Sequence, residues 1–325
     1  MKTINATHNN RTYLVYDEEE LDFVFEQNQD DFIVDEIFND KYNFDHKDIG
    51  NYMILHIKKN NLSTWELISY VAEVLDIKEN EIGYAGLKDK HATTTQYISI
   101  PLNKSNDYKN LNNRKVKVLR TFRDKQSIKI GDHNGNKFTI TLKEIKPEQL
   151  HIFYKRLSHI QKHGMPNYFG YQRFGNEDNF AKSKALVEGD IVIEDRRLST
   201  FLKKAYQSYF FNDWLCKRVE ISKEQNSKKL ISLDGDVFNK HNRDIITGLL
   251  PGRDIVRAKN EASVIEKQFD DIFIHEKGLR RDAWITPLNI KNKLKDTSMT
   301  LEFTLPKSSY ATVFIEALQN QVLSK

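Results

Sequence analysis

The 325-residue sequence predicts an α+β protein in which a sheet-rich domain is interrupted by a second, mostly helical segment. Three observations support this fold class. Strand-like segments dominate the first 163 residues, long helical periods dominate residues 164–286, and an alternating strand followed by an amphipathic helix returns in residues 287–325. We therefore expect residues 1–163 and 287–325 to form one discontinuous domain, with residues 164–286 as an insertion.

Seven segments are predicted to be strands because they are short and rich in β-branched or aromatic residues. A loop that contains two glycines, residues 131–136, is predicted just before the sixth of them. The predicted strands are residues 12–16, 32–37, 52–57, 93–100, 115–119, 137–142 and 299–305.

Helices are predicted from apolar residues that recur with the helical period. Ser63 or Thr64 is the expected N-cap of the first helix. A second helix covers about residues 147–163 and ends at Gly164, which suits the C′ position. The other predicted helices are residues 180–188, residues 199–219 and a C-terminal helix capped by Ser308 or Ser309.

The composition excludes several classes of protein. Only 13 glycines and 6 prolines are present, which excludes collagen-like and Pro-rich disordered chains. The single cysteine, Cys216, excludes an intrachain disulfide and a cysteine zinc cluster, and its apolar surroundings predict a core thiol. Because no apolar leader or membrane-length uncharged run is present, we expect a cytoplasmic protein without membrane association.

Charge is distributed unevenly along the chain. Residues 1–50 hold 4 basic and 13 acidic residues, net −9, whereas residues 101–146 hold 12 basic and 4 acidic residues, net +8. The basic stretch is typical of a surface that binds a phosphate backbone. It is equally typical of a sheet edge protected by lysines against aggregation. Charge alone does not separate these two interpretations.

One loop remains as a candidate reactive site once the common signatures are searched. The sequence lacks a glycine-rich phosphate loop, a dinucleotide fingerprint, a nucleophile elbow and an H-E-x-x-H motif, which disfavours nucleotide hydrolysis, nicotinamide chemistry and zinc catalysis. In the loop of residues 83–92, Asp89 can project a carboxylate whose charged form Lys88 and Lys90 favour. The same residue types are ordinary in a solvated turn, and the residues alone favour that simpler interpretation.

A resemblance to a known protein family favours the reactive site over the solvated turn. The loop Gly83-Tyr84-Ala85-Gly86-Leu87-Lys88-Asp89-Lys90-His91-Ala92-Thr93, with Gln96, resembles the signature of the TruD family of pseudouridine synthases, which modify uridine 13 of tRNA. Further blocks resemble family segments in the same order and extend over nearly the whole chain. These blocks are residues 31–36, 131–138, 164–175, 206–212, 248–252, 280–281 and 305–312.

The resemblance implies a fold and a reaction. The fold is a mixed, largely antiparallel sheet flanked by helices and interrupted by an α/β insertion domain specific to the family. The reaction is an isomerisation without cofactor or metal, in which the N1–C1′ bond of a uridine breaks and the uracil is rejoined through C5. Asp89 matches the catalytic aspartate, acting either as a nucleophile at C1′ or as a base at C2′.

The resemblance also implies a pocket for the target base, which must leave its stack before it can react. Asn136 and Phe138 match an Asn-x-Phe pair, an amide that contacts the substrate and a ring that stacks on it. Phe32 and Tyr310 match two further aromatic residues of the substrate site. Without the resemblance, all three rings would be assigned to the core.

The only partner that the resemblance implies is tRNA; no obligatory protein partner is evident. Two other functions stay open: an RNA-binding module without chemistry, and a nucleic-acid glycosidase in which Glu36 approaches Asp89 as a second carboxylate. Arg173 could contact RNA or form a structural ion pair. The candidate contacts to the RNA backbone are Arg114, Lys115, Lys117, Arg120, Arg123, Arg173, Arg280 and Arg281.

Overall fold

The computed structural model describes residues 11, 21–42, 50–175, 179–271 and 273–323. They divide into two compact units. We call residues 22–148 and 287–308 the sheet unit, and the remaining described residues, 11, 21, 149–286 and 309–323 with the gaps given above, the helical unit. The α+β class predicted from the sequence is confirmed. The predicted strand at residues 12–16 lies outside the described residues.

The strands of the described residues carry the names used below. They are β1 (Val24–Phe25), β2 (Phe32–Phe38), β3 (Tyr52–Asn60), β4 (Gly83–Tyr84), β5 (Thr93–Pro101), β6 (Val116–Asp124), β7 (His133–Lys143), β8 (Met165–Pro166), β9 (Thr247–Leu250), β10 (Leu279–Asp282), β11 (Trp284–Ile285), β12 (Leu288–Lys295) and β13 (Ser298–Pro306).

The helices follow the predicted order with small shifts at their ends. They are α1 (Thr64–Leu75), α2 (Leu150–His163), α3 (Asn179–Glu188), α4 (Arg196–Glu224), α5 (Asn260–Glu266) and α6 (Ala311–Gln319). The N-cap of α6 is Tyr310, so the cap predicted at Ser308 or Ser309 is displaced toward the C-terminus. Within the described residues, no helix combines the length and the apolar character that a membrane crossing requires.

The sheet unit contains one nine-stranded sheet that is antiparallel except where β2 and β5 run parallel. Seven strands lie in the order β12-β13-β7-β2-β5-β3-β6, and β1 and β4 pair with β7 and β5. Strands β12 and β13 follow residues 149–286 in sequence and nevertheless complete this sheet. The sheet unit is therefore discontinuous in sequence.

Two segments are placed differently from the predicted domain boundaries. Residues 149–163 and 309–323 belong to the helical unit rather than to the unit that contains the sheet. The reason is that α2 and α6 pack together, where the buried Arg156 guanidinium donates to the carbonyls of Leu318 and Gln319, both at 3.1 Å. The predicted domain boundaries, after residues 163 and 286, stay a prediction.

Helix α1 covers one face of the sheet and begins where its sequence dictates. Ser63 Oγ accepts the N–H of Glu66 at 3.1 Å, and the Glu66 carboxylate accepts the N–H of Ser63 at 2.7 Å, which forms a capping box. The apolar face of α1, including Leu67 and Val71, packs on Leu55 and Ile98 of the sheet. The capped first turn of α1 is thereby fixed against the strands that flank residues 85–92.

Candidate active site

Residues 85–92, which we call the Asp89 loop, connect β4 to β5, and hydrogen bonds from their backbone to three other parts of the sheet unit hold them in place. The N–H of Lys88 donates to Thr64 Oγ1 at 2.8 Å, in the first turn of α1. The N–H of Gly131 donates to the carbonyl of Ala85 at 2.7 Å. Lys59 Nζ donates to the carbonyl of Asp89 at 3.0 Å. The backbone of the loop is therefore tied to the sheet, to α1 and to the turn before β7.

Asp89 lies in the middle of this loop and is a half-buried residue. Burial raises the pKa of Asp89, because removing water disfavours the charged form, while the charges of Lys59 and Lys88 lower it. A carboxylate in this setting is less solvated than one on the surface, and two nearby cations favour its ionised form against the effect of burial. This is the environment that a nucleophile or base near neutral pH requires.

Lys59 is a site residue that the sequence analysis missed. Its side chain is completely buried, and its ammonium donates to the carbonyls of Leu62 and Asp89. Burial lowers the pKa of Lys59 to about 8, although the Asp89 charge acts in the opposite direction. Lys59 could have been identified from β3, because every second residue of a strand faces the same side and Leu55, Ile57 and Lys59 share the buried side.

Lys88 connects the Asp89 loop to β2 and β7. Glu36 and Asn136 are direct partners in the register of these strands. Lys88 Nζ lies 2.7 Å from a Glu36 carboxylate oxygen and donates to Asn136 Oδ1 at 2.8 Å. The other Glu36 oxygen accepts the N–H of Tyr97 at 3.0 Å. Because the Asn136 oxygen is occupied by Lys88, its NH₂ group is the part of the amide that can serve a substrate.

Lys90 has a different setting from the one predicted. It is exposed, and its ammonium lies 2.9 Å from the Glu66 carboxylate at the start of α1. The two lysines whose charges lower the pKa of Asp89 are Lys59 and Lys88, rather than Lys88 and Lys90.

The rings of Phe32 and Phe138 are buried in the sheet unit. They are 1% and 3% exposed, with ring centroids 6.1 Å apart, and Phe138 stacks on Phe303 at 5.5 Å. In this arrangement Phe138 is packed against two other rings and is almost completely shielded from solvent. The geometry agrees with the core position that the residue pattern alone suggested, and the stacking role remains a prediction.

We expect Phe138→Ala to lower the free energy of unfolding by about 3–5 kcal/mol, because it leaves a cavity between Phe32 and Phe303. Urea unfolding of the variant and the wild type measures this loss. Phe25→Ala is the matched control, since Phe25 is only half-buried and touches the same cluster through Phe32. Normal stability of Phe138→Ala with impaired turnover would instead favour the substrate-stacking role.

Tyr310 belongs to the helical unit, where it precedes α6. Its ring lies edge-on to Phe169 at 6.0 Å. The Arg281 guanidinium lies 3.9 Å from the centre of the Phe169 ring, and Arg173 lies 5.3 Å from it. These residues form one aromatic and cationic cluster in the helical unit.

Three of the arginines predicted to contact RNA have structural partners in the helical unit. Arg281 is buried and donates to the carbonyl and the side-chain oxygen of Asn167, at 3.0 and 2.9 Å. Arg280 forms an ion pair with Glu266 at 2.6 Å, and Arg173 donates to Ser208 Oγ at 3.0 Å. Their guanidinium groups are engaged in the fold, so the proposal of phosphate contact is not extended to them.

The other five predicted RNA contacts are all exposed and lie on or just before β6, which is an edge strand of the sheet. This location suits both interpretations of the basic stretch, a phosphate-binding surface and a protected sheet edge. The five residues are Arg114, Lys115, Lys117, Arg120 and Arg123.

Comparison with known proteins gives a consistent result. A sequence model of the family described as tRNA pseudouridine synthase D (TruD) matches residues 8–193. A relative named tRNA pseudouridine synthase D from Sulfurimonas denitrificans is 36% identical, with 92% of this chain and 95% of the relative covered. A second relative of the same name from Nitratiruptor sp. is 34% identical, with 94% and 97% covered.

A solved structure shares the fold. It is that of a chain described as tRNA pseudouridine synthase D (TruD) from Methanosarcina mazei, which matches with a TM-score of 0.66 at 22% identity. The match covers 98% of this chain and 97% of the other. The similarity in sequence and in fold therefore extends over nearly the whole chain.

Proposed function

The chain belongs to the TruD family of tRNA pseudouridine synthases, and from this membership we propose that it converts uridine 13 of tRNA to pseudouridine, with Asp89 as the catalytic carboxylate. The observation that carries the assignment of Asp89 is its half-buried position on a restrained loop beside two cations. Because the substrate is tRNA, we also propose a cytoplasmic location.

The residues around Asp89 have different roles in the isomerisation. The charges of Lys59 and Lys88 favour the ionised carboxylate, which is the form that can attack C1′ of the target ribose or remove the proton at C2′. The NH₂ group of Asn136 can donate to a carbonyl oxygen of the flipped uracil, which holds the base while it rotates. The atoms balance as in an isomerisation. The N1–C1′ bond breaks and a C5–C1′ bond forms, while C5 loses its hydrogen as a proton and N1 gains a proton.

A glycosidase is less well supported by the same site. Hydrolysis of a glycosidic bond normally uses a second carboxyl group as general acid. Glu36 is the candidate that the sequence offered, and its two oxygens are engaged by Lys88 and by the N–H of Tyr97. Its geometry supports a role in positioning Lys88.

The test is to incubate the purified protein with an unmodified tRNA transcript, without added nucleotide or metal, and to map pseudouridine chemically. We expect modification at position 13. Release of free uracil would favour the glycosidase, and RNA binding without any product would favour the binding module.

We propose that the exposed basic residues of β6 contact the tRNA backbone. Replacing Lys115 and Lys117 together by alanine is then expected to weaken tRNA binding and to reduce the slope of log K against log salt by about 2. The matched control replaces Lys291 and Lys293, two exposed lysines on β12 at the opposite edge of the same sheet. Equal salt slopes for both double variants and the wild type would contradict tRNA contact at these lysines and would favour β6 as a sheet edge protected against aggregation.

A further inference from the structure

Leu87 is an exposed apolar side chain on the loop that carries Asp89. It is 60% exposed, whereas the nearby Ala85 and Lys88 are buried. Single exposed apolar residues are common on protein surfaces, so exposure alone assigns no function. What requires an explanation is an exposed leucine two residues before the proposed catalytic carboxylate.

The backbone on both sides of Leu87 is fixed. The carbonyl of Ala85 accepts from Gly131, and the N–H of Lys88 donates to Thr64. Because these bonds lie within two residues of Leu87, they restrain the backbone that carries its side chain. The structure therefore presents an apolar side chain at a defined place beside Asp89.

We propose that Leu87 is a wedge that enters the base stack of the substrate RNA when the target uridine turns out toward Asp89. This inference rests on the proposed function. Extrusion of a base leaves its neighbours without stacking partners. Proteins that unstack bases insert apolar side chains such as Leu, Ile, Met or Phe into the gap. Leu87 supplies such a side chain, and its burial between two bases accounts for its exposure in the free protein.

The spacing along the loop suits this role. Cα atoms two residues apart lie at most about 7 Å apart, which corresponds to about two base steps of ~3.4 Å. Leu87 can therefore occupy the vacated place while Asp89 reaches the ribose of the extruded nucleotide. Ile130, which is 77% exposed, lies on the turn bonded to Ala85 through Gly131 and is the competing candidate for the wedge.

The experiment compares single-turnover rates on a transcript of a tRNA that has uridine at position 13. We expect Leu87→Ala to be slower than the wild type by about 10-fold or more, with Leu87→Met within about 3-fold of the wild type. Ile130→Ala and Leu288→Ala are the controls, since Leu288 is 57% exposed on β12 of the same sheet. Both controls are expected to react at the wild-type rate, and all variants to unfold at the wild-type temperature.

A second readout separates base extrusion from other causes of a slow reaction. The same transcript carries 2-aminopurine at position 14, whose fluorescence rises when the neighbouring base leaves the stack. Asp89→Asn is expected to produce this rise without product, and addition of Leu87→Ala to that variant is expected to remove most of it, with tRNA affinity changed by less than about 3-fold.

Each remaining outcome decides the proposal. A wild-type rate for Leu87→Ala, a slow rate confined to Ile130→Ala, or an unchanged fluorescence rise overturns the wedge and leaves the proposed isomerase intact. A wild-type protein that forms no pseudouridine overturns both.

Discussion

We expect Asp89→Asn to slow pseudouridine formation by about 10³-fold or more while it leaves tRNA binding intact. Asparagine has the shape of aspartate but cannot ionise, so it can neither attack C1′ nor remove the proton at C2′. Single-turnover assays with mapped product measure the loss, and filter binding measures the affinity.

The same substitution is not expected to destabilise the fold. Burial opposes the charged form of Asp89, and a neutral amide avoids that cost. The bond from Lys59 reaches the main-chain carbonyl of residue 89, so it survives the substitution. A melting temperature close to that of the wild type, together with the loss of product, identifies a catalytic role. Unchanged product from Asp89→Asn would remove Asp89 from the mechanism.

The second large effect concerns Lys59. We expect Lys59→Met to move the acidic limb of the pH–rate profile to higher pH. The rate rises with pH as Asp89 ionises, and the Lys59 charge lowers the pKa of Asp89 against the effect of burial. Without that charge the carboxylate ionises at a higher pH, so the rate at neutral pH falls.

The alkaline side of the wild-type profile tests the same pair. The pKa of Lys59 is about 8, but a rise in pH cannot reprotonate Asp89, so the wild-type rate is expected to stay level as the ammonium loses its proton. Lys59→Met also removes the donor to the carbonyls of Leu62 and Asp89, which costs about 2 kcal/mol or more of stability. The position of the acid limb nevertheless reports the loss of the Lys59 charge. Lys58→Met, on the half-buried opposite face of β3, is the control. An acid limb at the wild-type pH in Lys59→Met would show that Lys59 has no electrostatic role.

Local sequence signals predicted much of the fold. The capping box at Ser63 and Glu66 is contained within four residues, so the start of α1 could be predicted without tertiary information. β12 was not predicted, because among the described strands it pairs with β13 alone and nearly all of its residues are exposed. Its lysine-rich sequence lacks the apolar alternation of a half-buried strand and is that of a protected edge.

The candidate site could be predicted only in part. Asp89 and Lys88 belong to one contiguous motif, which the family resemblance identified. Lys59 lies 30 residues away from Asp89 in sequence and reaches it only through the pairing of β3 with β5. The burial of Phe138 likewise depends on β13, which comes from the far end of the chain. Such long-range pairings are not encoded in any local pattern.

The most direct test of the central claim, that Asp89 isomerises a uridine in tRNA, follows the hydrogen at C5. The substrate is a tRNA transcript that contains uridine tritiated at C5. Because the new glycosidic bond forms at C5, the account predicts that the wild type releases tritium to water while the uracil stays attached to the RNA, and that Asp89→Asn releases none. Tritium retained at C5 by the wild type, or free uracil in solution, would contradict it.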